Sequence, residues 1–229
     1  FREKKKFEHA DLQNIQGLVY FNEDNLYMTT PRQLIKPLDS IPYPDRGFLR
    51  PSYFNRKTII HTKTAKRLTG IITSRGCPYK CMFCSTAHFW KDFRINSAKH
   101  IAEEMEYLIK NYKIQSFFIY DDLFTVHKNR LKELVSILQE KGLLGKFSIN
   151  CMGRTDNIDE ELLDLLKQLN TDYINFGFES GSDRILQFLK NEQISVETHK
   201  KAILLCEKYG IGVQGSLMFA SPGETAEDM

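Results

Sequence analysis

The chain has 229 residues, enough for one large domain with a sizeable core. Its 32 Lys and Arg against 29 Asp and Glu leave a formal charge of +3, too small a field to mark a nucleic-acid or anionic-membrane surface. With 41% hydrophobic residues and only 13 glycines and 7 prolines, disordered and fibrous classes are excluded, and no apolar run is long enough to span a bilayer.

Residue 1 is Phe, and the chain stops soon after a loop, so the sequence reads as a piece of a longer protein. The first ten residues are charged, with no apolar run behind them, so no secretory signal is read. Residues 17–21 and 26–29 flank the polar stretch Asn22-Glu23-Asp24-Asn25 and predict a hairpin. Pro31, Pro37, Pro42, Pro44 and Pro51 then predict extended, non-helical chain. Residues 1–66 are accordingly expected to form a linker or arm, and 67–229 a core domain.

From Arg67 the pattern becomes an alternation. Strand-like runs occupy 69–74, 115–120, 146–151, 173–178 and 212–219. Between them apolar residues recur at helical spacing. Ile101, Met105 and Leu108 follow a Ser97 cap; Leu131, Leu134 and Leu138 precede a Gly142 stop; Leu162 and Leu166 follow Asp159; Ala202 and Cys206 precede Gly210. Strands too apolar for one wet face, alternating with helices, predict a parallel sheet covered by helices. Each strand-like run ends in polar or glycine-rich residues, from Arg75-Gly76-Cys77 to Ser221-Pro222-Gly223-Glu224. In a barrel all these tips line one rim. The expected fold is therefore α/β, a partial (β/α)6 TIM-like barrel truncated after about five strands.

Three of the five cysteines lie within eight positions, as Cys77-Pro78-Tyr79-Lys80-Cys81-Met82-Phe83-Cys84. An odd, clustered count suits a metal site in a reducing, cytoplasmic setting better than a disulfide framework. Three thiolates on one tight loop can hold a cubane iron–sulfur cluster and leave one iron open. The competing reading is a zinc tetrahedron of Cys77, Cys81, Cys84 and His88 in a non-catalytic interaction module. Cys151 and Cys206 read as small core residues, with a site role kept open for Cys151 near its strand tip.

Gly76 to Cys84 resembles the signature of radical S-adenosylmethionine (SAM) enzymes, and the resemblance runs from about residue 68 to the end. It implies a [4Fe-4S] cluster on Cys77, Cys81 and Cys84 whose open iron is chelated by SAM. Reductive cleavage would then give a 5′-deoxyadenosyl radical for hydrogen abstraction. Phe83 matches the aromatic that packs near the adenine. Asp121 and Asp122 stand where the family holds the SAM amino group, although a Gly-Gly-Glu is more usual there, and one of them could cap the next helix. Arg154 suits the SAM carboxylate, or a plain pair with Asp156. Glu179 and Ser180 match a motif that contacts the ribose or methionine part, and Glu224 one that supports the adenine end, unless it is a simple helix cap.

Residues 17–20, Pro31-Arg32 and 38–46 resemble the connector of the branch that carries an N-terminal cobalamin domain, which includes anaerobic magnesium-protoporphyrin cyclases and cobalamin-dependent methyltransferases. No Asp-x-His-x-x-Gly cobalamin motif occurs here, so cobalamin is expected only in the full-length protein. A cobalamin-independent methylthiotransferase is the alternative within the superfamily. The resemblance implies a small-molecule substrate and an electron donor such as flavodoxin or ferredoxin, with no membrane or nucleic-acid partner expected.

Overall fold

The computed structural model describes residues 8–55, 57–58, 66–190 and 194–229. Two compact units divide between Lys36 and Pro37. In the first, helix α1 (His9–Gln13) precedes strands β1 (Val19–Asn22) and β2 (Asn25–Met28). These pair antiparallel with Val19 opposite Met28, as the polar turn predicts, and Glu23 turns the chain at φ +52°.

The second unit begins in the proline-rich stretch, so residues 37–55 pack with the barrel strands and helices. Leu38 is buried, and Asp39 Oδ1 accepts from Ser97 N at 2.9 Å and Asn96 Nδ2 at 3.0 Å. Arg46 reaches the open edge of the sheet, donating to Gly70 O at 3.1 Å and Thr69 Oγ1 at 3.2 Å, and pairs with Glu104 at 3.1 Å. Burial pushes the Glu104 carboxyl up and Arg46 opposes that shift. The stretch is not wholly extended. Helix α2 (Pro51–Asn55) starts on a proline, which the first helical position tolerates because its missing N–H would be unpaired there anyway. Residues 59–65, up to the expected end of the arm, lie outside the described residues.

Next come strands β3 (Lys57–Thr58), β4 (Lys66–Ile71) and β5 (Ser74–Arg75), helix α3 (Thr86–Trp90) and strand β6 (Arg94–Ile95). Helix α4 (Ala98–Tyr112), strand β7 (Ser116–Ile119), helix α5 (Lys128–Glu140) and strand β8 (Ser148–Gly153) follow. Helix α6 (Glu160–Gln168), strand β9 (Thr171–Glu179), helices α7 (Asp183–Lys190) and α8 (Val196–Tyr209) and strand β10 (Gly212–Leu217) complete the order. The main sheet runs β10-β9-β8-β7-β4-β3. Five strands are parallel, and β3 lies antiparallel on the edge of β4. This is the five-stranded parallel arrangement expected of a partial (β/α)6 barrel.

The expected caps form. Ser97 and Asp159 side chains accept from backbone N–H groups three residues on, and Gly210 closes α8 at φ +71°. Ser195, not singled out in the sequence, caps the start of α8 in the same way. Ile101, Met105 and Leu108 bury one stripe of α4 against the sheet, each such side chain contributing about 1.5–3 kcal/mol. Cys151 and Cys206 are fully buried in this core, where burial pushes the Cys206 thiol up to about 11 and raises Cys151 as well.

One boundary differs from expectation. The first parallel strand stops at Ile71, and Ser74–Arg75 pair instead with Arg94–Ile95 in a two-stranded ribbon. The ladder ends because Asp121 takes the N–H groups of Thr73 and Ser74.

Candidate active site

At the carboxyl end of β4 the chain must turn sharply into the cysteine loop. Gly76 sits at φ +87°, and a Cβ there would come within 2.7 Å of Asp92 O, so glycine alone fits. Trp90 supports the loop from below, with the guanidinium groups of Arg75 and Arg94 at 5.5 and 5.7 Å from its ring. The loop is tied across the barrel mouth by Met82 N donating to Leu189 O at 2.8 Å, and closes on itself through Cys84 N to Cys81 O at 3.1 Å.

Cys77, Cys81 and Cys84 are half-buried free thiols that share one cavity of about 260 Å³ with Phe83, Asp122 and Arg154. Glu179 and Lys190 line the same cavity. Burial pushes the Cys77 thiol up, so a cationic partner is needed to hold it as a thiolate. Among the described residues no three His, Cys, Asp or Glu side chains converge on a single metal ion, and His88 is exposed. The Cys3His tetrahedron is thus not assembled. Three soft ligands spread around a cavity, with further polar groups facing them, suit a bulkier multi-iron core.

The remaining expected residues separate into two groups. Phe83, Asp122, Arg154 and Glu179 line the cysteine cavity. Asp121, Ser180 and Glu224 lie outside that lining among the described residues, each with a local task. Asp121 is 1% exposed and accepts from Thr73 N and Thr73 Oγ1, both at 2.5 Å, and from Ser74 N at 3.0 Å. Arg130 Nη2 stands 3.7 Å from Asp121 Oδ2, and Arg130 Nη1 donates to Thr73 O at 3.0 Å. Asp121 therefore staples the tip of β7 to the tip of β4, directly before the cysteines. Ser180 Oγ accepts from Ser182 N at 3.1 Å, and Glu224 Oε2 from Ser221 N at 2.9 Å, both within turns.

Glu179 closes β9 at φ +66° and folds back so closely that a Cβ on Gly177 would fall 2.1 Å from its Oε1. Its partner is Lys190 at 3.4 Å, which also donates to Gly177 O. Burial pushes the Lys190 ammonium down, and Glu179 opposes the shift. Lys190 is a residue the sequence analysis missed. The signal was available: a buried carboxylate at a strand tip needs a cation, and Lys190 ends the helix that follows. Behind this pair, His199 bridges α8 to the barrel through Thr155 Oγ1 at 2.8 Å and Phe178 O at 3.1 Å, and burial lowers its pKa.

A parallel β/α sheet with a three-cysteine loop after its first parallel strand and charged pairs at the later strand tips defines a metal-cluster enzyme of the partial-barrel class. The Radical SAM superfamily profile matches residues 71–229, and the chain belongs to that superfamily, whose members use a [4Fe-4S] cluster and SAM. It is 29% identical over 220 residues to an uncharacterised methyltransferase of Pyrococcus horikoshii, covering 96% of this chain and 46% of that protein. It is also 29% identical over 221 residues to the anaerobic magnesium-protoporphyrin IX monomethyl ester cyclase of Rubrivivax gelatinosus, covering 96% of this chain and 39% of the cyclase. Among solved structures, the cobalamin-dependent SAM radical enzyme OxsB superposes with a TM-score of 0.74 at 20% identity, over 90% of this chain and 30% of OxsB. The chain thus spans less than half the length of these relatives. No helix among the described residues is long and apolar enough to cross a membrane.

Proposed function

We propose that this chain is the SAM-cleaving core of a radical SAM enzyme, with Cys77, Cys81 and Cys84 holding the [4Fe-4S] cluster. The observation that carries the reading is the shared cavity, in which three thiols face Lys190, Glu179 and Asp122. When bound and reduced, the cluster supplies the single electron that breaks a carbon–sulfur bond of SAM, leaving a carbon radical for hydrogen abstraction. The chain's own residues then bind and orient. Lys190 has three N–H donors, of which Gly177 O and Glu179 occupy two among the described residues, so one remains for the SAM carboxylate. Asp122, exposed and accepting from Thr86 Oγ1 at 3.4 Å, offers its carboxylate to the SAM amino group. Phe83, 42% exposed, presents a ring face for the adenine.

The substrate is proposed to be a small molecule, the electron donor a flavodoxin or ferredoxin, and the full-length protein a cobalamin-dependent enzyme of methyl transfer or oxidative cyclisation. The likeness to a methyltransferase, a cyclase and a cobalamin-dependent enzyme supports the reaction kinds and the cobalamin, and the need for a reductant follows from the proposed cluster. In the full-length protein, reconstituted anaerobically and reduced, SAM is expected to yield 5′-deoxyadenosine and methionine. A fully loaded, reduced cluster that leaves SAM intact, with and without substrate, would overturn the proposal.

A further inference from the structure

Arg154 lines the cysteine cavity but is already committed. Its Nε lies 2.9 and 3.1 Å from the two carboxylate oxygens of Asp156, and its Nη2 lies 3.0 Å from Oδ2. Its Nη1 donates to Cys81 Sγ at 3.3 Å. The guanidinium carbon sits 3.9 Å from the centre of the Tyr79 ring, and the Tyr79 hydroxyl donates to Asn157 Oδ1 at 2.7 Å. The tip of β8 and the cysteine loop therefore hold each other. Asp156 and Asn157 fix the arginine and the ring, and the arginine fixes a sulfur. Arg154 is 8% exposed, so this contact is only weakly screened by solvent.

We infer that Arg154 is a positioning residue for the cluster, donating a charged N–H to the Cys81 thiolate and raising the cluster's reduction potential. This rests on the proposed cluster-binding role of the three cysteines. Reduction adds one electron to the cluster, drawn from the low-potential donor, and no bond to the protein is made or broken. A cationic N–H aimed at a ligating sulfur stabilises the more negative, reduced form, and hydrogen bonds to the sulfurs are among the levers that set such potentials. Only a guanidinium can span the site, because its rigid fork reaches a carboxylate on one edge and a sulfur on the other. Three of its five N–H donors are engaged in this brace, while Lys190, the other cation lining the cavity among the described residues, keeps an N–H that can serve the SAM carboxylate.

The test is an EPR-monitored redox titration of the reconstituted full-length protein, with iron content and SAM binding measured alongside. Arg154→Gln is expected to shift the reduction equilibrium about tenfold toward the oxidised form, which is about 59 mV for a one-electron couple. Arg154→Lys keeps the charge but cannot bridge Asp156 and Cys81, so a smaller shift of the same sign is expected. It carries the test should Arg154→Gln fail to assemble a cluster. An unchanged potential in the cluster-bearing variants, above all with weakened SAM binding, overturns the inference and returns Arg154 to the carboxylate. A wild-type protein that assembles no four-iron cluster instead overturns the reading on which the inference stands.

Discussion

Alanine at any one of Cys77, Cys81 or Cys84 is expected to give a folded chain that assembles no stable [4Fe-4S] cluster and cleaves no SAM. Each cysteine would bind one iron, and loss of one thiolate leaves two irons without a protein ligand where only the one used by SAM should be open. The fold should survive. Apart from the Arg154–Cys81 contact, which only the Cys81 variant loses, the loop's supports are Gly76, Trp90, the Met82–Leu189 hydrogen bond and the Tyr79–Asn157 bond, none of which needs a cysteine side chain. Cys151→Ala and Cys206→Ala provide the contrast. Both side chains are fully buried in the core, so these variants should keep full iron and lose only about 1 kcal/mol of stability. Iron and sulfide analysis beside a denaturant melt separates the two classes. Normal iron in all three loop variants would sink the assignment.

Asp121→Ala should be the most destabilising single change at the strand tips, costing about 3–5 kcal/mol. The carboxylate is 1% exposed, and its removal leaves Arg130, itself 4% exposed, as a buried charge without its counter-ion. Burial already pushes the Arg130 guanidinium down and Asp121 opposes that shift. Among the described residues Arg130 Nε and Nη2 have no hydrogen-bond partner to fall back on. The N–H groups of Thr73 and Ser74 would lose their acceptor too, each at a further cost. Asp121→Asn keeps the acceptor oxygen and should fall between. Urea unfolding of the three proteins checks this, and a loss below about 1 kcal/mol in the alanine variant would contradict the stapling role.

Asp121 also marks where sequence reading stops. The Asp121-Asp122 pair was expected to meet SAM, yet only Asp122 lines the cavity, because Asp121 meets Thr73 across the β4–β7 pair, 48 residues away in sequence. The same partner choice ended the first parallel strand early. What was legible was local: the cysteine spacing, the helix caps at Ser97 and Asp159, the stop at Gly210, and the alternation that builds a parallel sheet. Interactions between distant segments were not. Arg154 was weighed between SAM and Asp156, and nothing in its surroundings in sequence points to a sulfur 73 residues earlier. Glu179 signalled that it needed a partner, without naming Lys190. For Ser180 and Glu224 the plain turn geometry is what the structure displays.

The central claim is that three cysteines hold a four-iron cluster with one iron left open to SAM. Its most direct test is the EPR spectrum of the reduced, reconstituted full-length protein, recorded with and without SAM on samples of known iron content. The expected result is about four irons per chain and a spectrum that changes on adding SAM, as ligation of the open iron requires. One zinc per chain with no cluster signal, or a four-iron spectrum indifferent to SAM, would contradict it.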